Sequence, residues 1–230
     1  MAMPAVQSRR WTAAEVRALP DEPGKRFECV DGELIVSPGA RFPHQRAARD
    51  LLLALHPYVS SEGLGDVLFG PGEVELDPYT LVQPDVFVLP LVDGRLPTGP
   101  EESALPLLVV EVLSPSTARH DRGVKRDRYQ RAGAEYWIVD VDARVVERWL
   151  PDAARPDVLR DELRWQPAGA SAPLVIALAP LFASAHGEPR GSAGRQRSSS
   201  RSTSGRAASG SQRSTTRAST STIQYSAPAR

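Results

Sequence analysis

The sequence predicts an α/β domain in which helices pack against a β-sheet. The run LLVVEVL at 107–113 is short, apolar and rich in β-branched residues, which is typical of a buried central strand. Around it, the pattern predicts a strand at 84–89, a helix at 119–132 and a strand at 135–140. Strand, strand, helix and strand in this order indicate an α/β sandwich.

The elements outside this central unit are predicted from capping and turn signals. Thr12 and Glu15 have the spacing of a capping box, which predicts a short helix at 12–19. Asp31 and Gly32 separate two short strands and predict an N-terminal hairpin. Further elements are expected as a helix at 43–59, strands near 66–69, 72–77 and 144–149, and a hairpin or strand pair between 159 and 178.

Length and charge divide the chain into one domain and two tails. Residues 11–186 have the size of an ordinary domain that buries a substantial core. Residues 1–10 are predicted to be disordered, and 187–230 are rich in Ser, Thr, Gly, Ala and Arg, which predicts a disordered tail. The tail carries eight arginines and one acidic residue, so the other 20 basic and 27 acidic residues give 1–186 a net charge of −7.

The basic tail is a candidate contact for nucleic acid or another anionic partner, held by charge alone. An unselected low-complexity extension explains its composition as well. Neither end has the long apolar segment of a signal peptide or membrane span, and a single cysteine argues against a disulfide scaffold. The sequence therefore predicts a cytoplasmic protein without membrane contact, and it leaves a homodimer open.

Glu111 is the one charged residue in the apolar run at 107–113. A carboxylate in a buried strand loses its water and needs a metal ion, a cation or a proton in its place. Asp85 follows Pro84, which marks a strand entry or an edge because proline is poorly tolerated inside a sheet ladder. Strand alternation allows Asp85 and Glu111 to converge if their strands are neighbours with those faces aligned. Paired carboxylates form a hard oxygen site suited to Mg²⁺ or Mn²⁺ rather than zinc.

Lys125 follows Asp121 by four residues and precedes Tyr129 by four, which predicts one shared helix face. The chain has two lysines against 26 arginines (28 Lys and Arg minus 2), so a lysine here stands out. A compact ammonium suits a place beside a scissile phosphate or an attacking water. The alternative is a solvated lysine paired with Asp121 on the helix surface. The nearby carboxylate pattern favours the functional interpretation.

Four strings in the chain, together with Asp121, Lys125 and Tyr129, resemble one family. The strings are FECVDGELIVSP at 27–38, QPDVFVL at 83–89, EVLSPST at 111–117 and AGAEYWIVD at 132–140. From about residue 11 to residue 180 the chain resembles the Uma-type restriction endonucleases, a branch of the PD-(D/E)XK nuclease superfamily. The resemblance implies a restriction-endonuclease-like mixed sheet flanked by helices. It also implies a divalent metal held by Asp85 and Glu111, and hydrolysis of a phosphodiester bond.

One position departs from the superfamily's simplest pattern. The lysine expected two residues after the glutamate would fall at Leu113, so the resemblance implies that its role has moved to Lys125. Glu28 matches an N-terminal acidic position of the family, as a further ligand or a group that orients a water, but strand alternation also allows it to face solvent. His44 and Gln45 resemble a position that contacts substrate phosphate. A surface helix N-terminus accounts for these two residues equally well.

The function predicted from these residues is a metal-dependent endonuclease that cleaves phosphodiester bonds, with DNA as the substrate by resemblance alone. Asp85, Glu111, Lys125 and Glu28 are the predicted catalytic residues, and Mg²⁺ or Mn²⁺ is the predicted cofactor. The alternative is a nucleic-acid-binding or protein-binding module that keeps the fold without turnover. The acidic body favours this alternative, because tight DNA binding usually needs a basic surface.

Overall fold

The protein is built from short strands with helices between them. The computed structural model describes residues 9–99 and 104–189. In chain order the elements are α1 (Ala13–Arg17), β1 (Lys25–Val30), β2 (Glu33–Pro38), α2 (Phe42–Ser61), β3 (Gly65–Phe69), β4 (Val74–Asp77), β5 (Thr80–Val82), β6 (Val86–Pro90), β7 (Leu108–Val112), α3 (Ala118–His120), a π-helical turn (Asp121–Lys125), α4 (Arg126–Arg131), β8 (Glu135–Asp140), β9 (Val145–Trp149), β10 (Asp157–Leu159), β11 (Glu162–Trp165), β12 (Leu174–Ala177) and α5 (Leu178–Ala185).

The central sheet is mixed and has six strands in the order β10-β9-β8-β7-β6-β3. β7 and β8 pair in parallel, and the other neighbours in this sheet are antiparallel. The parallel pair is connected through α3, the π turn and α4, which form the crossover that parallel strands require. A second sheet has the order β2-β1-β5-β4, and β11 pairs with β12. The mixed sheet flanked by helices and the N-terminal hairpin are therefore confirmed.

Each face of the central sheet is covered by a different set of elements. On one face Val110 and Trp137 pack in a cluster with residues of α2 and α5, such as Leu51 and Phe182. On the other face a second cluster contains residues of the hairpin and of α4 together with Phe87, Val109, Ile138 and Tyr129. β7 is thus buried on both sides, as the continuous apolar run at 107–113 predicts.

Two local signals correspond to the observed backbone. Thr12 and Glu15 form both hydrogen bonds of a capping box at the start of α1. The predicted hairpin turn is present at Asp31 and Gly32, whose φ angles are 56° and 83°. Two successive positive φ angles match the turn type that two-residue hairpin loops prefer, and this is why an Asp-Gly pair occupies the turn.

Several segments differ from the predicted elements. The strand predicted at 84–89 is present as β6, which begins after Pro84, but β5 just before it belongs to a different sheet and β10 was not predicted. The single helix predicted at 119–132 is interrupted by the π turn, where Gly123 has non-helical φ and ψ angles. α5 was not predicted, because its short apolar sequence follows β12 without a polar break.

The predicted N-terminal segment 1–10 and tail 187–230 lie outside the described residues, apart from Arg9, Arg10 and 187–189. Their predicted disorder stays a prediction. No helix within 9–99 and 104–189 is long and apolar enough to cross a membrane.

Candidate metal-binding and catalytic site

Asp85 and Glu111 are brought together by the pairing of β6 with β7. Val86 lies opposite Val110, and Phe87 lies opposite Val109. The same register continued by one residue places Asp85 opposite Glu111, and alternation puts both on the face that carries Phe87 and Val109. Both residues are buried, with 5% and 3% of their surface exposed. The fold therefore brings the Asp85 and Glu111 carboxylates together, as strand alternation allowed.

Asp85 is held by three donors from three parts of the chain. Its Oδ1 lies 2.9 Å from Arg26 Nη1, and its Oδ2 lies 2.9 Å from His44 Nε2. The backbone N–H of Val112 also donates to Oδ2, at 2.9 Å. Burial opposes ionisation, but the hydrogen bond and charge of His44, the charge of Arg26 and the Val112 N–H lower the pKa of Asp85 below its ordinary value. Asp85 is an oriented, ionised carboxylate.

Lys125 places its ammonium among three buried carboxylates. Its Nζ lies 2.8 Å from Glu111 Oε1, 2.9 Å from Glu28 Oε1 and 3.6 Å from Asp121 Oδ1. The lysine itself is only 3% exposed, so the alternative of a surface lysine is wrong. Burial alone lowers the pKa of Lys125, but the charges of Glu111, Glu28 and Asp121 outweigh it and raise the pKa well above its ordinary value. The ammonium stays charged at the centre of the cluster.

Glu111 is paired through one of its two carboxylate oxygens. Its Oε1 accepts hydrogen bonds from Lys125 and from the Tyr129 hydroxyl, which lies 3.1 Å away. Burial raises the pKa of Glu111 well above its ordinary value, and the charge of Lys125 only partly offsets this because nearby Asp121 and Asp85 raise it further. One ammonium shared among several carboxylates therefore leaves a cluster that takes up a proton unless another cation is present.

Glu28 lies in the interior rather than on a solvent-facing side of the hairpin. It is 2% exposed, and its Oε1 accepts a 2.8 Å hydrogen bond from the backbone N–H of Gln83 as well as the contact from Lys125. Arg26 occupies the same side of β1 two residues earlier and reaches Asp85. The sequence analysis did not identify Arg26, although its two-residue spacing from Glu28 was the signal that could have done so.

Asp121 is the second site residue that the sequence analysis missed as a functional group. It is 1% exposed, and its Oδ1 has no hydrogen-bond partner. Burial raises the pKa of Asp121, with partial compensation from Lys125 and from a hydrogen bond with Thr117. A surface pair of Asp121 with Lys125 was the alternative to a functional lysine, and it is wrong because both side chains are buried.

A cavity of about 280 Å³ joins these residues. Its lining includes Asp85, Glu111, Lys125, Glu28 and His44 from the predicted set, and Arg26, Arg41, Asp121 and the segment 113–117 besides. Gln45 is exposed and does not line the cavity. His44 thus joins the carboxylate cluster through Asp85, while its neighbour in sequence points elsewhere.

The donor set fits a small divalent cation. Glu28, Asp85, Glu111 and Asp121 contribute four negative charges against the two positive charges of Lys125 and Arg26, which gives a formal charge of −2 with His44 counted as neutral. Within 9–99 and 104–189 no group of three or more acidic, His or Cys side chains is arranged as a complete metal cage. Mg²⁺ needs fewer protein ligands, since it usually binds one or two carboxylates together with waters and substrate phosphates. The orphaned Asp121 Oδ1 is a further sign of uncompensated negative charge.

One protein-family model matches most of the chain. The model of the Uma2 family, described as "Putative restriction endonuclease", matches residues 13–178. The chain belongs to the Uma2 family. The matched range contains the whole cavity-lining set, from Arg26 to Asp142.

A solved structure shares the fold of this Uma2 family member. It is the crystal structure of "a putative nuclease belonging to DUF820" from Anabaena variabilis, with a TM-score of 0.63 and 18% sequence identity. The similarity covers 76% of this chain and 98% of the other. No curated protein matches the chain. The chain thus shares its fold with a protein described as a putative nuclease and belongs to a family described as putative restriction endonucleases.

Proposed function

We propose that the protein is a divalent-metal-dependent endonuclease that hydrolyses phosphodiester bonds of DNA. The observation that carries the proposal is the juxtaposition of Asp85 and Glu111 on one sheet face with the Lys125 ammonium 2.8 Å from Glu111. Two oxygen ligands beside a compact cation are what metal-assisted phosphodiester hydrolysis requires. Membership of a family described as restriction endonucleases supports the same reaction class.

In this proposal Asp85 and Glu111 hold Mg²⁺ or Mn²⁺ through carboxylate oxygens. Such an ion would lower the pKa of an attacking water and neutralise charge on the phosphate. Arg26, His44 and the N–H of Val112 fix the Asp85 carboxylate, so its oxygens need no reorganisation when the ion arrives. Glu28 anchors Lys125 through a 2.9 Å contact and orients the attacking water.

Lys125 acts on the substrate in this proposal. Its three N–H donors are directed into the same cavity as the carboxylates, so one of them can hold the attacking water or a non-bridging phosphate oxygen. Its raised pKa keeps the ammonium charged at neutral pH. Lys125 is therefore an electrostatic donor rather than a general base.

The scissile phosphate enters from the side of the cavity where α2 begins. Arg41 and His44 line the cavity there, and the first N–H groups of α2 lack a side-chain cap. The Arg41 guanidinium and uncapped N–H groups at a helix start favour phosphate. Gln45, next to them on the exposed surface, is assigned to the flanking backbone of the substrate. The basic tail contributes affinity for DNA by charge alone.

A non-catalytic binding module is the second candidate function. The net charge of −7 over residues 1–186 favours it, because an acidic body repels nucleic acid. A module without metal has no need for three carboxylates around one buried lysine, an arrangement that lowers stability. The cavity therefore favours the nuclease.

DNA cleavage is the direct test of the proposed function. Supercoiled plasmid and linear DNA are incubated with purified wild type in Mg²⁺, in Mn²⁺ and in EDTA. Cleavage is expected with either metal and not with EDTA, and Asp85→Asn is expected to abolish it. Asp157→Asn makes the same chemical change on β10, where the Asp157 side chain is 62% exposed, and is expected to cleave like wild type. Cleavage by Asp85→Asn at the wild-type rate contradicts the proposal.

A further inference from the structure

Asp121 has an unused oxygen beside the lysine of the site. Its Oδ1 is buried without a hydrogen-bond partner and lies 3.6 Å from Lys125 Nζ, which is too long for a hydrogen bond. The ammonium instead contacts Glu111 and Glu28, at 2.8 and 2.9 Å. An ionised carboxylate is costly to bury unpaired, so an unpaired oxygen here needs a reason.

The reason follows from the arrival of a divalent cation in the cavity. A cation held by Asp85 and Glu111 neutralises Glu111 and repels the ammonium that now contacts it. Lys125 is 3% exposed, so its ammonium needs another partner within the cluster. The nearest buried carboxylate with a free oxygen is Asp121, and a typical charged N···O distance of about 2.8 Å is less than 1 Å away from the present separation.

We propose that Asp121 is the positioning residue for Lys125 in the metal-loaded protein. The Asp121 carboxylate binds the Lys125 ammonium when Glu111 binds the cation instead. This inference rests on the proposed metal site. Asp121 touches neither the cation nor the substrate and acts through Lys125. The two residues lie at the ends of the π turn, Asp121–Lys125, so the exchange of partners needs a change in one lysine side chain and none in the sheet.

The two lysines of the chain make this exchange directly observable. In a Lys25→Arg background Lys125 is the sole lysine, and ¹⁵N-lysine labelling gives one side-chain ammonium signal in the NMR spectrum. Lys25 is half exposed and paired with Glu22 at the surface, so this change leaves the cavity intact. A buried, ion-paired ammonium exchanges its protons slowly, whereas a freed one exchanges fast and loses its signal.

The experiment compares Asp121→Asn with Asp127→Asn, both in the Lys25→Arg background, with and without saturating Mg²⁺. Asp127 lies on α4, and its side chain is 47% exposed. Its replacement by Asn removes the same charge as Asp121→Asn does, but outside the cavity. We expect Mg²⁺ to shift the Lys125 signal while it stays sharp in the parent and in Asp127→Asn. In Asp121→Asn the signal is expected to be sharp without Mg²⁺ and lost with it. Calorimetry is expected to give Asp121→Asn a Mg²⁺ affinity about tenfold or more below the parent's.

The outcomes separate this inference from the proposed function. If Mg²⁺ does not perturb the Lys125 signal in the parent protein, the metal site itself fails, and the inference falls with it. If Mg²⁺ shifts the signal equally in the parent, Asp121→Asn and Asp127→Asn, the metal site stands and the inference is overturned. Asp121→Glu, which restores a carboxylate, is expected to recover the sharp Mg²⁺-bound signal at least in part, and a neutral Asp121→Ser is not.

Discussion

Lys125 Nζ lies 2.8 Å from Glu111 Oε1, although the two residues are 14 positions apart and belong to different elements. Both are almost completely buried. A buried ion pair is weak support for stability, because the cost of removing two charges from water offsets their attraction. A second and a third carboxylate around the same ammonium, those of Glu28 and Asp121, increase that cost. The arrangement is therefore explained better by the chemistry it permits than by the stability it contributes.

Lys125→Ala tests the role of the ammonium. We expect cleavage to fall by roughly 10²–10³-fold, the loss found when one preorganised electrostatic donor is removed. Lys125→Arg is expected to restore little, because the planar guanidinium places its charge differently in a cavity shaped around a compact ammonium. The rate is measured by plasmid nicking under single-turnover conditions.

The matched control for this prediction is Lys25→Ala, which removes the chain's other lysine from the exposed surface. It is expected to cleave at the wild-type rate. If Lys125→Ala cleaves as fast as Lys25→Ala does, the ammonium has no catalytic role, and the cation must be sought in Arg122 or Arg126.

Glu111→Gln tests whether the cluster is built for a cation at the expense of stability. In EDTA at neutral pH we expect this variant to be at least as stable as wild type, since the amide removes repulsion from Asp121 and Asp85. Mg²⁺ at 100 times its Kd adds about 2.7 kcal/mol to the wild type. That corresponds to a Tm increase of roughly 5–10 °C for a domain of this size. Calorimetric melts that show the same Mg²⁺ shift in Glu111→Gln contradict the assignment of Glu111 as a ligand.

The pH dependence of stability follows from the raised pKa of Glu111. The folded protein holds this proton at pH values where the unfolded chain has lost it, so the metal-free protein loses stability as pH rises from the ordinary glutamate pKa to the raised value. Mg²⁺ competes with the same proton, so Mg²⁺ affinity is expected to rise through that window, by up to about tenfold per pH unit. The contribution of Asp85 to the pH dependence of stability has the opposite sign. Its lowered pKa contributes stability that is lost at acid pH.

Chemical denaturation at a series of pH values measures how the free energy of unfolding depends on pH. Mg²⁺ calorimetry at the same pH values measures how the Mg²⁺ affinity depends on pH. Glu111→Gln is expected to lose the stability slope, apart from the part due to Asp121, whose pKa is also raised. An unchanged slope in this variant shows that another group titrates.

The alternation of short strands made the carboxylate pair predictable. Asp85 is next to Val86 and Glu111 is next to Val110, and alternation fixes which face of the sheet each side chain occupies. Because β6 and β7 are antiparallel neighbours that pair Val86 with Val110, the two carboxylates come together. The Asp31-Gly32 turn was predictable for a similar reason, since few residue pairs adopt two positive φ angles. Both inferences depend on local geometry.

The contacts that the sequence could not supply are tertiary. The helix is interrupted by a kink at Gly123 between Asp121 and Lys125, and an ordinary helix period cannot anticipate such a kink. Glu28 is buried because its side of the hairpin packs on the central sheet. Strand alternation shows which residues share a side but not which side faces the sheet. The contact of His44 with Asp85 joins the start of α2 to the start of β6, which are 41 residues apart.

The central claim is that Asp85 and Glu111 share one divalent cation, and anomalous diffraction from crystals soaked in Mn²⁺ tests it most directly. The account predicts an anomalous peak about 2.0–2.6 Å from a carboxylate oxygen of each residue. It predicts no such peak in crystals of Glu111→Gln soaked in the same way. Wild-type crystals at saturating Mn²⁺ that show no peak between these two carboxylates, or a peak that persists unchanged in Glu111→Gln, contradict the account.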